Sequence, residues 1–113
     1  MKTVRRSEII QINLNPTERR EQSGKARPCL ILSNTKFNQR RQGIIVVTLL
    51  TNTIRPQVKI MIQVPEGYKA TGSVIVEQVR TIDLKERWWK STEEILAQDF
   101  VDLVVHTFSQ IIG

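Results

Sequence analysis

QVKIMIQVPEGYKATGSVIVEQV (57–79) contains two strand patterns on either side of a turn. In residues 57–64 valine or isoleucine occupies every second position and glutamine, lysine or methionine lies between them, which is typical of a strand with one buried face. PEGYKATG (65–72) has the proline and glycines of a turn, and SVIVEQV (73–79) follows it as a second apolar run. The stretch therefore predicts two consecutive strands.

Three more short apolar runs precede this stretch. They are EIIQINL (8–14), PCLILS (28–33) and IIVVTLLT (44–51). Each is bounded by polar residues, glycine or proline, so strands are favoured over helices. Five strands in succession predict a mostly β (α+β) fold, either a small antiparallel barrel or a strongly bent sheet.

The C-terminal segment has a different pattern. From Ser91 onward, apolar residues recur every three or four positions, which predicts an amphipathic helix. Ser91 and Glu94 have the spacing of a capping box, so we expect the helix to begin there. Its apolar stripe is wide enough to cover the barrel and also reach a second subunit. His106 follows Asp102 by four residues, which favours a solvated ion pair over catalysis.

Length and composition limit the possible classes of protein. A chain of 113 residues predicts a single domain, 1–113. One cysteine, Cys29, and one histidine exclude an internal disulfide and a zinc cluster. No apolar run approaches the roughly 20 residues of a membrane span, and MKTVRRSEII lacks the features of a secretory signal. We therefore expect a cytoplasmic protein without a metal site.

The positive charge is unevenly distributed. Residues 1–43 carry ten Lys/Arg against three Asp/Glu, whereas residues 91–113 carry four acidic residues and no Lys/Arg. A basic body with an acidic C-terminal segment favours a nucleic-acid partner. A cationic surface that serves only solubility is the alternative.

Three residues at strand ends or within strands have side chains suited to catalysis. Pro28 biases Arg27 toward extended backbone, so its guanidinium leaves the sheet at a defined place and suits phosphate; a strand-edge arginine paired with a carboxylate is the alternative. Thr51 can face a site or start a turn. Glu77 interrupts an apolar strand, so it points to solvent or accepts a proton in a polar pocket.

Aromatic residues beside cations are candidates for contact with bases. Trp88 and Trp89 can stack bases, or can form an apolar clasp between the last strand and the helix, which we favour for at least one of them. Phe37 and Asn38 lie before Arg40 and Arg41 in NTKFNQRR and can form a groove wall. The loop NPTERREQSGKA (15–26) is long enough to be functional.

The order of these motifs resembles the MazF/PemK (Kid) family of toxin endoribonucleases. INLNPT, EQSGKARPCLILSN, FNQR, VVTLLT and VEQVRTID match the family pattern across most of residues 8–83, whereas the helix matches only in type. The resemblance implies an SH3-like barrel, usually homodimeric, that cleaves single-stranded RNA without metal or other cofactor. It also implies an antitoxin partner whose acidic tail occupies the RNA groove.

The resemblance also implies roles for individual residues. Arg27 and Thr51 are similar to the family's catalytic arginine and threonine, and Glu77 to the acidic residue that some members use as a base. Substrate-binding positions are implied for the active-site loop and the groove wall, and we predict further contacts beside the catalytic positions. This substrate-binding set comprises Glu21, Gln22, Lys25, Phe37, Asn38, Asn52 and Gln78.

The chain also departs from the family pattern. Arg19 and Arg20 stand where small residues or histidine are usual, and one extra residue precedes Arg27. The register of Thr51 leaves Thr48 and Thr53 as alternatives, and Ile75 occupies the position of a second catalytic arginine. Two other functions stay open: a non-catalytic toxin that inhibits a protein target, as gyrase inhibitors on this fold do, and an RNA-binding module without catalysis.

Overall fold

The structure is a computed structural model that describes residues 3–14, 26–53 and 60–113. These ranges contain six strands, two α-helices and a short 3-10 turn at Leu84–Glu86. The elements are β1 (Glu8–Ile12), β2 (Arg27–Ile31), α1 (Thr35–Arg41), β3 (Ile44–Thr51), β4 (Met61–Gln63), β5 (Ser73–Asp83), β6 (Trp89–Ile95) and α2 (Gln98–Ile112). Glu21, Gln22, Lys25 and the Arg19-Arg20 pair lie outside the described residues.

The six strands form one antiparallel sheet in the order β4-β5-β3-β2-β1-β6. The mostly β class with a C-terminal helix is therefore confirmed. The two strands predicted from the opening stretch are β4 and β5, which pair with each other, although β4 covers only Met61–Gln63. In the described part of the chain β4 and β6 are the sheet edges, so the sheet there is not closed into a complete barrel.

Each face of the sheet carries its own hydrophobic cluster. The first cluster joins strand residues such as Leu30, Leu50 and Val76 to Phe100 and Val104 of α2. The second cluster lies on the opposite face and includes Ile12, Cys29, Ile31, Val47 and Ile82. Each strand contributes apolar side chains to both clusters, because neighbouring residues of a strand point to opposite sides of the sheet.

The predicted start of the C-terminal helix is wrong. Ser91 belongs to β6, where it pairs with Ile10 and its hydroxyl donates to the carboxylate of Glu8. The carboxylate of Glu94 accepts from the N–H groups of Lys69 and Ala70, at 2.7 and 2.9 Å. Both side chains of the apparent capping box therefore fix a strand and a turn, and α2 begins at Gln98 instead.

Helix α2 packs one apolar stripe on the sheet and leaves a second stripe exposed. Phe100, Val101 and Val104 are buried, whereas Leu103 and Ile112 are 48% and 70% exposed. Asp102 bonds to Arg6, with an N–O distance of 2.9 Å, and not to His106 as the spacing suggested. None of the helices in the described ranges has the length and apolar character needed to cross a bilayer.

The short helix α1 follows β2 and was not predicted as a helix. The side chain of Asn34 accepts from the N–H of Phe37 at 2.8 Å, which caps its N-terminus. Gln42 ends it in the left-handed conformation, at φ 47°. Seven residues are too few to show a clear helical period, so the sequence pattern alone does not indicate it.

Candidate active site

Arg27 is the first residue of β2 and is partly exposed. It pairs with Ile12 of β1, and two positions later Cys29 pairs with Leu49 of β3. This register places Arg27 on the face of the second cluster, at the end of the sheet where β3 terminates in Thr51. The guanidinium therefore extends from a paired strand, as the Arg27-Pro28 order predicts.

Arg27 and Thr51 line one open depression with a volume of about 400 Å³. Thr51 is only 6% exposed, and its hydroxyl oxygen accepts from the N–H of Thr53 at 3.1 Å. A hydroxyl that accepts such a bond keeps its own hydrogen for donation. The rest of the lining is formed by Pro28, Leu50, Asn52, Thr53 and Thr71.

Asn52 and Thr71 close one side of this depression. The side-chain oxygen of Asn52 accepts from the hydroxyl of Thr71 at 3.2 Å. Asn52, predicted to bind substrate, is exposed and lies beside Thr51. Thr71 was missed, because it belongs to a turn whose position relative to β3 cannot be read from spacing. Thr48, a fallback for the threonine role, is fully buried and donates to the carbonyl of Ile75.

Gly72 lies against Thr51 and Asn52, two residues that line the depression. It has a φ of 89°, and a Cβ added there would lie 2.6 Å from Oδ1 of Asn52 and closer still to the carbonyl oxygen of Thr51. Contacts this short require the backbone around Thr51 to move. Gly67 offers a matched comparison, since it also has a positive φ, 101°, but would place its Cβ in open space.

We expect Gly72→Ala to lower the free energy of unfolding by ~2 kcal/mol more than Gly67→Ala, the usual cost of overpacking, and to reduce any activity that depends on Thr51. Both changes carry the backbone cost of a positive φ, so the difference reports the steric clash alone. Urea unfolding of the two variants measures it. Equal destabilisation by the two changes would contradict this interpretation.

The structure does not bring Glu77 to this depression. Ser73 pairs with Thr51, and Glu77 lies four residues farther along β5, about 13 Å at the rise of a strand. Its carboxylate accepts from the N–H of Ile60 at 3.1 Å. The β3–β5 register shifts between Val47 and Leu49, and Glu77 and Gln78 are both exposed in this irregular segment. Their predicted roles stay predictions.

Phe37 lies at the opposite end of β2 from Arg27. It lines a separate depression of about 290 Å³ together with Leu32 and Val105, and Arg41 stands over its ring at 5.9 Å. Five residues separate Arg27 from Leu32, which corresponds to about 17 Å along a strand. An RNA strand that contacts Phe37 and Arg27 together must therefore span the distance between the two depressions. The contact between Phe37 and substrate stays a prediction.

The side chain of Asn38 is buried within the protein. It is 4% exposed, its Nδ2 donates to the carbonyls of Val4 and Ser33 at 3.2 Å, and its Oδ1 accepts from the Ser33 hydroxyl at 2.5 Å. These bonds anchor α1 to the segment before β1. The amide is engaged within the protein, and the predicted contact with substrate stays untested.

Asn38→Ala is expected to lower the free energy of unfolding by about 2–3 kcal/mol, because it leaves buried backbone carbonyls without their donor. Activity per folded molecule should be preserved. Chemical denaturation, with Gln39→Ala on the exposed side of α1 as control, tests the first point. A rise in KM at unchanged stability would instead indicate direct contact with the substrate.

Arginines surround the buried thiol of Cys29. Burial raises the pKa of Cys29 to about 12, and the positive charges of Arg80, Arg27 and Arg87 oppose this rise. The thiol is 1% exposed, so it is a packing group and not a nucleophile. Among the residues in the described ranges, no cluster of three His, Cys, Asp or Glu side chains has the arrangement of a metal site.

Trp89 is partly buried and packs against the second cluster, on the face away from α2. Trp89 therefore does not form the clasp with the helix that was favoured for at least one of the two tryptophans. Trp88 is partly buried, and its carbonyl accepts from the N–H of Asn13 at 3.0 Å.

Comparison with known proteins identifies the family. The family model described as PemK-like, MazF-like toxin of type II toxin-antitoxin system matches residues 5–112. The chain belongs to the MazF/PemK toxin family. It is 36% identical over 92 residues to Endoribonuclease PemK of Escherichia coli, covering 80% of this chain and 68% of that protein.

Solved MazF structures share the fold. The crystal structure of MazF from Deinococcus radiodurans superposes with a TM-score of 0.80 at 19% identity, covering 100% of this chain and 99% of that one. A MazE-MazF complex from the same organism gives 0.79 at 17% identity, with 100% and 98% covered. A mycobacterial endoribonuclease in complex with its cognate antitoxin gives 0.72 at 19% identity, with 97% and 95% covered.

Proposed function

We propose that this member of the MazF/PemK family cleaves single-stranded RNA in the Arg27–Thr51 depression, using the 2′-OH of the RNA as nucleophile and no metal ion. The observation that carries the proposal is that Arg27 and Thr51, which come from different strands, line the same depression. A fixed cation and a buried hydroxyl donor are suited to a phosphate that gains negative charge.

The roles of the two groups follow from their chemistry. The guanidinium of Arg27 neutralises charge on the non-bridging oxygens through two parallel N–H groups. The hydroxyl of Thr51, oriented by the N–H of Thr53, donates to one of those oxygens. The 2′-oxygen forms a bond to phosphorus as the bond to the 5′-oxygen breaks, the 2′-OH proton passes to a base, and the 5′-oxygen takes up a proton from water or from the protonated base. The products are a 2′,3′-cyclic phosphate and a free 5′-OH.

Proton transfer requires a base, and two carboxylates are candidates. Glu77 lies about 13 Å along β5 from the partner of Thr51, beyond direct reach of a 2′-OH in the depression. Glu21 precedes Arg27 by six positions in the sequence. Comparing Glu21→Gln with Glu77→Gln in single-turnover cleavage identifies the base, because only its replacement removes the corresponding limb of the pH–rate profile.

The displacement of Glu77 favours a second candidate function, RNA binding without cleavage. Such a protein would retain RNA through Arg27 and the basic body but leave it intact. Retention of RNA in a binding assay, with no cleavage under any tested condition, would favour this function over the first.

Relatives of known structure support a protein partner. The Deinococcus MazE-MazF and the mycobacterial endoribonuclease–antitoxin complexes each contain a toxin of this fold with its antitoxin. By analogy, this chain binds a cognate antitoxin whose acidic tail competes with RNA for the depression around Arg27. We further propose that the protein acts as a homodimer in the cytoplasm.

Thr51→Val tests the proposed site, because valine has nearly the shape of threonine and lacks the hydroxyl. The variant is expected to fold normally and to lose about 10²-fold in kcat, the usual cost of one donor to a developing oxyanion. Thr81→Val, an exposed change on β5, is the matched control. An unchanged kcat in Thr51→Val would show that the hydroxyl of Thr51 takes no part in the reaction.

A further inference from the structure

Arg80 faces the same side of the sheet as Arg27. Arg80 pairs with Val47, and Val47 pairs with Ile31 of β2, two positions after Cys29. Residues paired across antiparallel strands share a face, and alternate residues of one strand do the same. Arg80, Cys29 and Arg27 therefore lie on the face of the second cluster.

Arg87 reaches this face from the segment before β6. Its guanidinium donates to the carbonyl of Asn13 at 3.4 Å, and Asn13 follows Ile12, the residue that pairs with Arg27. Ile12 also pairs with Trp89 across β1 and β6, so Arg27 and Trp89 are about 10 Å apart across two strand spacings. Arg87 is thus held at the end of β1 that pairs with Arg27.

Arg27, Arg80 and Arg87 form no ion pair with any carboxylate in the described ranges. Among acidic residues, Asp83 raises the pKa of Arg87 most. Its carboxylate does not form an ion pair with Arg87 and instead accepts a hydrogen bond from the N–H of Lys85 at 2.9 Å. Burial and then the positive charge of Arg80 lower the pKa of Arg87, which Asp83 and Glu86 partly oppose. Within the described part of the chain, Nε of Arg87 is buried without an acceptor.

We propose that Arg80 and Arg87 form, on the face of the sheet that also carries Arg27, a second phosphate-binding subsite that holds an RNA phosphate close to the one being cleaved. Guanidinium groups that reach one face of the sheet from separate segments suit a phosphodiester, because each can donate two parallel N–H groups to it. The subsite rests on the proposed function for its substrate. Its residues are binding groups and do not take part in bond breaking.

The test uses RNA that cannot be cut, so it does not depend on catalysis. Binding of 2′-O-methyl dinucleotides and trinucleotides to wild type, Arg80→Gln, Arg87→Gln and the double variant is measured by calorimetry. The dinucleotide carries only the scissile phosphate and should bind all four proteins alike. The trinucleotide, whose second phosphate lies on the side of the subsite, should bind wild type about 10-fold more tightly than the double variant.

Salt dependence provides a second measurement on a longer 2′-O-methyl strand. Each lost phosphate contact is expected to reduce the slope of log K against log salt by about 0.7. Arg40→Gln, an exposed cation on α1, should leave the trinucleotide affinity unchanged. Arg87→Lys, which keeps the charge, should recover part of the affinity. Melting curves confirm that each variant is folded.

Equal trinucleotide affinity in wild type and the double variant would overturn the subsite, as would an equal loss in Arg40→Gln. Substitutions that weaken only the binding of a poly-glutamate peptide would also overturn it, because the cluster would then serve a protein partner. If wild type fails to cleave ordinary RNA and still binds the trinucleotide more tightly than the double variant does, that result would refute the proposed cleavage and support the subsite.

Discussion

Arg27→Gln is expected to lower kcat for RNA cleavage by about 10²–10³-fold, the effect of removing a preorganised charge from a developing oxyanion. Arg27 is partly exposed at the start of β2 and makes no ion pair within the described ranges, so its replacement should cost little stability. Single-turnover cleavage of a labelled RNA, at saturating protein, measures the change.

Arg40→Gln is the matched control for this experiment, since it removes an exposed arginine from α1, away from the depression. It should retain kcat within about 2-fold, and it corrects for the general loss of positive charge. Comparable losses in the two variants would show that Arg27 acts through overall charge. Full activity in Arg27→Gln would remove the guanidinium from the mechanism.

A single 2′-deoxynucleotide at the cut position is expected to reduce cleavage by about 10⁴-fold or more, because it removes the nucleophile already held beside the phosphate. Binding should be nearly unchanged, since the phosphates remain. The measurement compares two RNAs that differ only at this ribose. A deoxynucleotide one position downstream of the cut serves as control and should leave the rate almost intact.

Cleavage at the deoxy position at a similar rate would indicate that water attacks the phosphate. A 2′,3′-cyclic phosphate could not form in that case. The roles of Arg27 and Thr51 as donors to the phosphate oxygens would survive, whereas the proposed nucleophile would not.

Short apolar runs bounded by polar residues predicted five of the six described strands, because a strand that is buried on both faces is apolar at almost every position. The pattern missed β6, whose residues from Ser91 onward were assigned to the helix. The juxtaposition of Arg27 and Thr51 was expected from motif order, and the structure places both in one depression. Spacing could not reveal Gly72 or Thr71, since the turn that brings them under Thr51 depends on the register of β5 with β3.

The wrong start of the helix and the placement of two predicted site residues have physical causes of the same kind. Ser91 and Glu94 suit a capping box and equally suit a strand whose side chains bond to Glu8 and to the turn at Lys69. The irregular β3–β5 register displaces Glu77 from Thr51, and a register shift leaves no mark in a residue pattern. Asn38 was assigned with Phe37 to the groove wall, and its bonds to Val4 and Ser33, which bury it, could not be read from the sequence.

End mapping of a long single-stranded RNA incubated with the purified protein in EDTA tests the central claim most directly. The proposed function predicts discrete cuts that carry 2′,3′-cyclic phosphate and 5′-OH ends in wild type, and their loss in Arg27→Gln. Intact RNA with wild type, or the same cuts in Arg27→Gln, would contradict metal-free cleavage at the Arg27–Thr51 depression.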